Sequence, residues 1–263
     1  MTAQNIRFDD GANYEQSMGI WSRLAGEIFL DWLAPRSGLR WIDIGCGNGA
    51  FTDLLFERCA PLEVQGVDPS EGQLAFARTR PGSRLAEFHK GDATALPFPA
   101  RRFDAAVMAL VIVFVPDPAK GIQEMIRVVG SGGIVATYVW DMLDGGFPLA
   151  PILGEMRAMG LPPSQPPQLG VSRQEALRDL WTGAGLEAVE TREITVRRTF
   201  TDFDDFWTIN LKSATIGPAI AAMAPGEVAK LKQRVRIRLP ADFAGRVTYG
   251  ARANAIKGSV PSN

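Results

Sequence analysis

WIDIGCGNGAF, residues 41–51, is the stretch of this chain that decides its fold. It joins a short apolar run, Leu39–Ile44, to a glycine-rich loop and then to an amphipathic segment that begins near Ala50. Strand, glycine loop and helix in this order hold a small polar ligand at the carboxyl end of a strand, because glycines let the ligand approach the backbone. The loop alone is a weak signal, since it also matches the dinucleotide-binding pattern G-x-G-x-x-A.

Outward from this stretch, short apolar runs alternate with helical segments as far as Trp140, which predicts an α/β fold with a parallel sheet covered by helices. Strands are predicted at 39–44, 63–67, 86–89, 103–113, 134–140, 187–196 and 246–256. Helices are predicted at 50–58, 70–78, 118–128, 172–183, 201–211 and 225–239, with capping boxes at Ser70 and Ser172. Residues 130–133 are predicted as a turn, and residues 142–171 have no clear period.

Two carboxylates strengthen the interpretation of the glycine loop. Asp68 stands 23 residues after Gly45 at the end of the second predicted strand, where a carboxylate can accept hydrogen bonds from both hydroxyls of a ribose. Gly91-Asp92-Ala93 directly follows the third predicted strand, where a carboxylate can accept from an adenine amino group. The three positions together predict a ligand that contains a nucleoside.

Charge and composition exclude several classes of function. Lys and Arg number 28 against 29 Asp and Glu, so no global field favours nucleic acid or an anionic membrane. His89 is the single histidine, which excludes multi-histidine metal sites. Cys46 and Cys59 are too few for a disulfide framework. We therefore expect a cytoplasmic monomer or homodimer that acts on a small molecule, with no nucleic-acid partner, no membrane partner and no metal.

Five segments resemble, in order and spacing, the successive motifs of the class I S-adenosylmethionine-dependent methyltransferases. They are WIDIGCGNGAF (41–51), VQGVDPSEGQLAFAR (64–78), HKGDATALPF (89–98), FDAAVMALVIVFVPD (103–117) and EMIRVVGSGG (124–133). YEQSMGIWSR, YVWD, TFTDFDDFW and GRVTYGARANAIKG are similar to bacterial members of the small-molecule branch of that family. The resemblance thus extends over nearly the whole chain.

The resemblance implies a doubly wound, Rossmann-like fold with a mostly parallel seven-stranded sheet, an antiparallel last strand and helical cap insertions. It implies one domain over residues 1–263, with an amino-terminal cover segment at 1–38 and a cofactor-binding core at 39–140. Residues 142–171 and 200–240 would form the cap over the acceptor. S-adenosylmethionine would be the cofactor and S-adenosylhomocysteine the product, after in-line displacement onto a small acceptor.

By motif position, the resemblance places Gly45 and Gly47 against the methionine and ribose parts of the cofactor. Asp43 would orient the loop and the amino group, and the main chain near Leu110 would face the ammonium. Cys46 belongs to the same loop as a small residue chosen for space.

The remaining cofactor contacts follow in the same way. Asp68 would hold the ribose, Pro69 would pack on the adenine, and Asp92 with the backbone of Ala93 would read the adenine edge. Tyr14 lies in an amino-terminal segment that commonly folds over the cofactor in this family.

The acceptor side is less defined, because residues 111–113 lack the polar residue that often follows the fourth strand in this family. Asp141 and His89 are the candidate bases. Trp21, Trp140, Trp207 and Asn210 are the candidate acceptor-binding residues, although large aromatic residues are most often part of the core.

Two alternative functions stay open at this stage. A nicotinamide-dependent dehydrogenase shares this type of fold, but no Tyr-x-x-x-Lys occurs at Tyr14, Tyr138 or Tyr249. A protein that binds S-adenosylmethionine without transferring its methyl group would carry the same motifs.

Overall fold

One sheet of seven strands, in the order β3-β2-β1-β4-β5-β7-β6, organises the described part of the chain. The computed structural model describes residues 15–161 and 164–262. The strands are β1 Arg40–Ile44, β2 Glu63–Asp68, β3 Glu87–Lys90, β4 Phe103–Ala109, β5 Val129–Trp140, β6 Glu187–Phe200 and β7 Val247–Ser259. Strands β1 to β5 pair in parallel, and β7 is antiparallel to both β5 and β6. The predicted sheet, including its antiparallel last strand, is confirmed.

Helices cover both faces of this sheet. They are α1 Ile20–Leu33, α2 Ala50–Cys59, α3 Glu71–Ala77, α4 Pro118–Val128, α5 Ala150–Ala158, α6 Gln174–Gly183, α7 Phe203–Leu211, α8 Gly217–Ala221 and α9 Pro225–Arg238. One core cluster packs α1 and α2 on the sheet, and a second packs α4 and α6 on the opposite face. Because β4 is covered on both faces, its residues 105–108 are fully buried, as expected for a central parallel strand.

Local side-chain chemistry sets several helix starts. The Ser70 hydroxyl accepts from the backbone N–H of Gln73, as its capping box predicts. The capping box at Ser172 is wrong: α6 begins after Arg173, and the Ser172 hydroxyl instead donates to the carbonyl of Leu169 at 2.8 Å. A single turn of 3₁₀ helix, Leu169–Ser172, precedes α6, and the Ser172 hydroxyl is hydrogen-bonded within this turn.

Several predicted strand boundaries are also wrong. Strands β6 and β7 run on to Phe200 and Ser259, beyond their predicted ends at 196 and 256. The apolar run of β4 ends as a strand at Ala109, because Leu110 has a φ of +64° and Ile112–Phe114 forms one turn of 3₁₀ helix. Burial of this turn explains why its composition looks like a strand. In contrast, β5 already begins at Val129, and a register shift between Phe103 and Ala105 takes up the residues predicted as a turn.

Strands β6 and β7 extend beyond the carboxyl edge of the sheet. Trp140, the last residue of β5, pairs with Ala253 of β7, and residues 247–252 of β7 continue to pair with residues 195–200 of β6. This two-stranded ribbon, here called the overhang, projects by roughly 20 Å at about 3.3 Å per residue. Helix α7 follows directly from its end, so the 200–240 segment starts at the carboxyl edge.

The connection between β5 and α6 also reaches this edge. The backbone N–H of Gln168 donates to the carbonyl of Val113 at 3.0 Å, and its side chain donates to the carbonyl of Pro116 at 2.8 Å. Both acceptors lie in the loop after β4. The role of segments 142–171 and 200–240 as a cap over an acceptor stays a prediction.

A half-buried ion pair joins α5 to α9, and its loss tests how these two helices are held together. The Glu155 carboxylate accepts from the Nε atoms of Arg234 and Arg238, each at 2.6 Å. Its side chain is 4% exposed, whereas the two arginines are 40% and 69% exposed. We expect Glu155→Gln to lower the free energy of unfolding by about 2 kcal/mol, less than for a fully buried pair because water screens both arginines.

The pH dependence of this variant has a defined sign. The hydrogen bond from Arg234, with that from Arg238, lowers the pKa of Glu155 below its ordinary value of 4.5. The stabilisation is therefore complete above 4.5 and is lost as the pH falls through the lowered pKa. Urea unfolding at several pH values measures the difference, with the exposed Glu175→Gln as control. A difference between wild type and Glu155→Gln that is independent of pH would contradict the assignment.

Candidate cofactor and acceptor site

The glycine loop after β1 has two glycines with distinct roles. Gly45 and Gly47 both have positive φ angles, +70° and +51°, which side chains rarely adopt. A Cβ atom on Gly45 would lie 2.5 Å from Cγ1 of Val111, just after β4. A Cβ atom on Gly47 would meet nothing nearer than the Gly45 carbonyl at 4.0 Å. Gly45 thus permits close packing of two strand ends, and Gly47 borders open space in which a ligand can lie.

Asp68 ties this loop to the end of β2. One carboxylate oxygen accepts from the N–H of Gly47 at 2.9 Å, and the other accepts from the N–H of Ser70 at 2.8 Å. Burial raises the pKa of Asp68, and these two backbone donors oppose that effect. Each oxygen retains capacity to accept a further hydrogen bond. The arrangement suits two neighbouring hydroxyls of a ligand, and its link to Gly47 was not foreseen from the sequence.

Asp43 is a fully buried carboxylate beneath the loop. One of its oxygens accepts from the Thr52 hydroxyl at 2.7 Å, and the other has no donor among the described residues. Burial raises the pKa of Asp43 to about 7. A buried acceptor without a donor is costly, and an ammonium or hydroxyl group of a ligand would be a suitable donor for it.

The raised pKa of Asp43 gives a testable pH dependence. Between its ordinary value of 3.8 and about 7, the folded chain keeps a proton that the unfolded chain has released. The free energy of unfolding therefore falls as the pH rises through this window. We expect Asp43→Asn to remove the fall, so that between pH 5 and 8 wild type loses about 3 kcal/mol relative to the variant. Parallel urea titrations measure this, and equal slopes would contradict it.

The side of the site that would take an adenine is open. Asp92 is exposed, and one of its oxygens accepts from both the N–H and the hydroxyl of Thr94, each at 2.7 Å. These bonds, the backbone one first, lower the pKa of Asp92. Pro69 is exposed and Ala93 is half-buried. The N–H of Gly91 donates to the carbonyl of Asp68, which joins the two strand ends.

Cys46 points away from the open side of the loop. Its thiol is buried, and a Cβ atom on Gly66 of β2 would lie 2.9 Å from its sulfur. Burial raises the pKa of the thiol. Only the backbone of Cys46 is therefore placed to contact a ligand in the loop.

The main chain after β4 has an unusual conformation. Leu110 has a φ of +64°, and its N–H donates to the carbonyl of Tyr138 at 2.8 Å. This conformation costs a non-glycine residue about 1 kcal/mol. Because Val111 packs on Gly45, the strained residue lies beside the glycine loop, as its predicted role requires.

The segment Glu15–Gly19 is one turn of π-helix, here called the strap. It connects the glycine loop to the overhang. Its first residue, Glu15, accepts from the side chain of Asn48 in the glycine loop at 3.1 Å. The carbonyl of Ser17 accepts from the guanidinium of Arg198 in the overhang at 3.1 Å. The strap thus runs across the carboxyl edge of the sheet. Tyr14, which precedes it, lies outside the described residues.

Asp141 follows β5, the strand next to β4, but its carboxylate is occupied, and His89 lies far from the end of β4. Asp141 is buried and ion-paired with Arg252, whose Nε lies 2.9 Å from its carboxylate. His89 is on the edge strand β3, where its ring packs on Phe98 with centroids 5.2 Å apart, and two strands separate it from β4. These contacts favour structural roles for both residues.

The candidate acceptor-binding residues are all buried in the core that includes the overhang. Trp21 packs on Tyr249 with ring centroids 5.0 Å apart, and the Asn210 amide donates to the carbonyl of Phe206, whose ring packs on the same tyrosine at 5.6 Å. Trp140 ends β5, and Trp207 stacks on Phe203 at 6.4 Å. The structure therefore brings Trp21 and Asn210 together and places Trp207 in a separate aromatic contact.

Sequence analysis missed Arg198 and Tyr249, which face each other on β6 and β7. The signal for Arg198 was present, because it occupies an inward position in the alternating pattern of ITVRRTF, residues 194–200. A charged residue at an otherwise apolar position of a strand deserves a functional explanation.

Residues 15–161 and 164–262 show neither a metal-binding cluster nor a membrane-spanning helix. No group of three or more His, Cys, Asp or Glu side chains there could hold a metal ion. None of the helices in these ranges combines the length and the apolar character needed to cross a membrane.

Comparison with known proteins gives consistent matches. The methyltransferase domain family matches residues 42–137. The chain is 34% identical over 131 residues to a demethylmenaquinone methyltransferase of Bacteroides fragilis, covering 47% of this chain and 52% of the relative. It is 30% identical over 149 residues to the aklanonic acid methyltransferase DauC of Streptomyces sp., covering 52% and 68%. In general, the chain spans about half the length of the curated relatives it matches.

A solved structure supports the fold independently. The YcgJ protein from Bacillus subtilis superposes with a TM-score of 0.60 at 17% identity, covering 91% of this chain and 99% of that one. The family match ends at residue 137, so the overhang and the segments around it lie outside the matched part.

Proposed function

Because this chain belongs to the class I S-adenosylmethionine-dependent methyltransferases, we propose that it transfers a methyl group from S-adenosylmethionine to a small-molecule acceptor. The observation that carries the proposal is the pairing of Asp68 with Gly47 above the buried, unpartnered oxygen of Asp43. A nucleoside with an ammonium-bearing side chain meets the needs of both carboxylates. The nicotinamide-dependent alternative has no comparable support, since the matched relatives are methyltransferases.

The residues present fit this cofactor. Asp68 would hold the ribose hydroxyls, and the open space beside Gly47 would receive the ribose and methionine portions. Asp43 and the main chain of Leu110 would orient the ammonium. Pro69, Asp92 and Ala93 would border the adenine, with the backbone of Cys46 and, by family resemblance, Tyr14 completing the set.

The protein's part in the reaction is chiefly to bind, orient and exclude water. S-adenosylmethionine supplies a methyl group that is already activated by its positively charged sulfur. The strap and the loop at Gln168 border the carboxyl edge of the sheet, where they would keep water from the reacting atoms. Alignment of this kind can contribute several kcal/mol without side-chain chemistry.

Proton removal by the protein has no obvious agent among the candidates. Asp141 is occupied by Arg252 and His89 lies at the far edge of the sheet. The side chains after β4 are Leu110, Val111 and Ile112, which cannot accept a proton. The acceptor would therefore bring a nucleophile that is already deprotonated, or that loses its proton to water.

Names of the curated relatives guide the choice of acceptor. One acts on demethylmenaquinone and another on aklanonic acid. We propose a planar aromatic acceptor, of the quinone or polyketide class, for this chain. The buried aromatic rings of Trp21, Trp140 and Tyr249 near the overhang support this choice.

Turnover tests the proposal directly. The protein is incubated with S-adenosylmethionine and a panel of aromatic hydroxy acids and reduced quinones, and released S-adenosylhomocysteine is quantified by mass spectrometry. We expect 1:1 cofactor binding by calorimetry and acceptor-dependent release. Preferential binding of a dinucleotide would favour a dehydrogenase, and tight cofactor binding without turnover on any acceptor would favour a non-catalytic binding protein.

A further inference from the structure

A charged side chain interrupts the apolar row that β6 turns toward the core. Ile194, Val196 and Phe200 face inward and are buried, and Arg198 occupies the same row with 8% exposure. Its neighbour Arg197 faces outward and is exposed. Burial of a guanidinium at such a position destabilises the fold, because the charge loses its hydration, unless an anion or several hydrogen-bond acceptors compensate.

The compensation that Arg198 receives is incomplete. A guanidinium has five N–H donors, and among the described residues only the Ser17 carbonyl accepts from it, at 3.1 Å. The ring of Phe200 lies 4.4 Å from its central carbon. Among the described residues, no carboxylate lies at ion-pair distance from Arg198. Asp205 acts on Arg198 only through its more distant charge, and its carboxylate accepts a hydrogen bond from the N–H of Thr201. Burial accordingly lowers the pKa of Arg198.

Two further polar atoms without partners lie in the same cluster. The Nε1 donor of Trp21 and the Oδ1 acceptor of Asn210 are both fully buried with no hydrogen-bond partner in the described structure. Tyr249 links all three residues: it pairs with Arg198 across the ribbon, packs on Trp21 at 5.0 Å, and packs at 5.6 Å on the ring of Phe206, whose carbonyl accepts from the Asn210 amide at 2.7 Å. Buried polar groups are nearly always satisfied in native proteins, so a concentration of unsatisfied ones indicates where a ligand supplies the partners.

The position of this cluster assigns it to the acceptor side of the site. It lies on the overhang, beyond the last residue of β5, and the strap connects it to the glycine loop. The cofactor residues lie at the ends of β1 and β2, on the other side of β4 in the sheet. A molecule held between the strap and the overhang would face the cofactor across the end of β4.

We propose that Arg198 binds a carboxylate of the acceptor, with Trp21 Nε1 as a second donor and Asn210 Oδ1 accepting from a neighbouring hydroxyl. Within the planar aromatic acceptors proposed above, this assignment selects the aromatic hydroxy acids, because a simple quinone has no carboxylate for Arg198 to bind. This assignment rests on the proposed function, since it names the substrate class of the same site. Arg198 is a specificity-determining residue, because it selects the charge of the acceptor and takes no part in the transfer.

Calorimetry with a matched pair of probes tests the assignment. The protein, saturated with S-adenosylhomocysteine at pH 7.5, is titrated with 1-hydroxy-2-naphthoate and with the corresponding carboxamide, which differ in charge. We expect wild type to bind the carboxylate at least tenfold more tightly than the amide. Arg198→Gln should weaken carboxylate binding by at least tenfold and change amide binding less than threefold. Arg197→Gln, on the exposed face of the same strand, should change neither.

Arg198→Lys covers the case in which the glutamine variant does not fold. It keeps the charge but loses the planar fork, and we expect an intermediate preference for the carboxylate. Equal binding of the two probes by wild type, or no binding of either, would overturn the assignment. So would a parallel loss of both probes in Arg198→Lys, which would indicate a structural role.

Failure of this inference is distinguishable from failure of the proposed function. The affinity for S-adenosylhomocysteine is measured first, in a separate titration of the same protein preparation. Absence of that binding overturns the proposed function, whereas intact binding with no charge preference overturns only the role of Arg198.

Discussion

Asp68→Asn should weaken S-adenosylmethionine binding by about 100-fold. The variant loses the charge that would hold the ribose, and its amide group cannot accept from both Gly47 and Ser70, as the carboxylate does at 2.9 and 2.8 Å. Hydrogen bonds to a charged group contribute roughly 1.5–3 kcal/mol each, so loss of one or two gives this magnitude. Isothermal titration calorimetry at pH 7.5 measures the dissociation constant.

Asp92→Asn is the matched control for this measurement. Asp92 is exposed and already accepts twice from Thr94, so water can replace much of what its charge contributes to an adenine contact. We expect a loss below tenfold in this variant. An affinity of Asp68→Asn within threefold of wild type would show that the carboxylate does not contact the cofactor.

Gly45→Ala should mainly lower the free energy of unfolding, whereas Gly47→Ala should mainly lower the affinity for the cofactor. At Gly45 the new Cβ atom would lie 2.5 Å from Val111, and the φ of +70° is unfavourable, so we expect a loss of about 2–4 kcal/mol in the free energy of unfolding. At Gly47 the nearest atom is the Gly45 carbonyl oxygen, at 4.0 Å, so only the conformational cost of about 1 kcal/mol remains. The Gly47 methyl group would instead occupy the space proposed for the cofactor, and we expect a loss of affinity of at least tenfold.

Gly38→Ala separates the backbone cost from the effect on binding. Gly38 has a φ of +76°, no atom within 4 Å of its would-be Cβ, and a position before β1, at the opposite edge of the sheet. It should therefore show the small stability loss with unchanged cofactor affinity. Urea unfolding and calorimetry on the three variants measure both quantities. Wild-type affinity in Gly47→Ala would place the cofactor elsewhere.

Periodicity and motif spacing predicted the fold well because they report interactions within a few residues. The run at 103–113 marks a central strand, since only a strand covered on both faces is apolar throughout. The same run misplaced the end of β4, because burial continues through the turn at Ile112–Phe114 while the backbone direction changes at Leu110. Composition records burial, and it does not record the sign of φ.

The candidate site divides in a similar way. The loop at Gly45 and Gly47, with Asp68, could be predicted because ligand chemistry fixes residue types at short, regular offsets along the chain. Asp141 shows the limit of this reasoning. It resembles a reactive carboxylate in sequence, yet an arginine 111 residues further along the chain, Arg252, pairs with it.

By itself, the sequence determined the order of the seven strands, the glycine loop, the carboxylates at the strand ends and six of the nine described helices; it missed α1, α5 within the 142–171 segment, and α8. These depend on local conformational preference and on the edge that parallel strands share. Only the tertiary structure decided that Ser17, Arg198 and Tyr249 meet at the overhang. The contact between Ser17 and Arg198 spans 181 residues, and a buried charge without a counter-ion becomes visible only when every group around it is known.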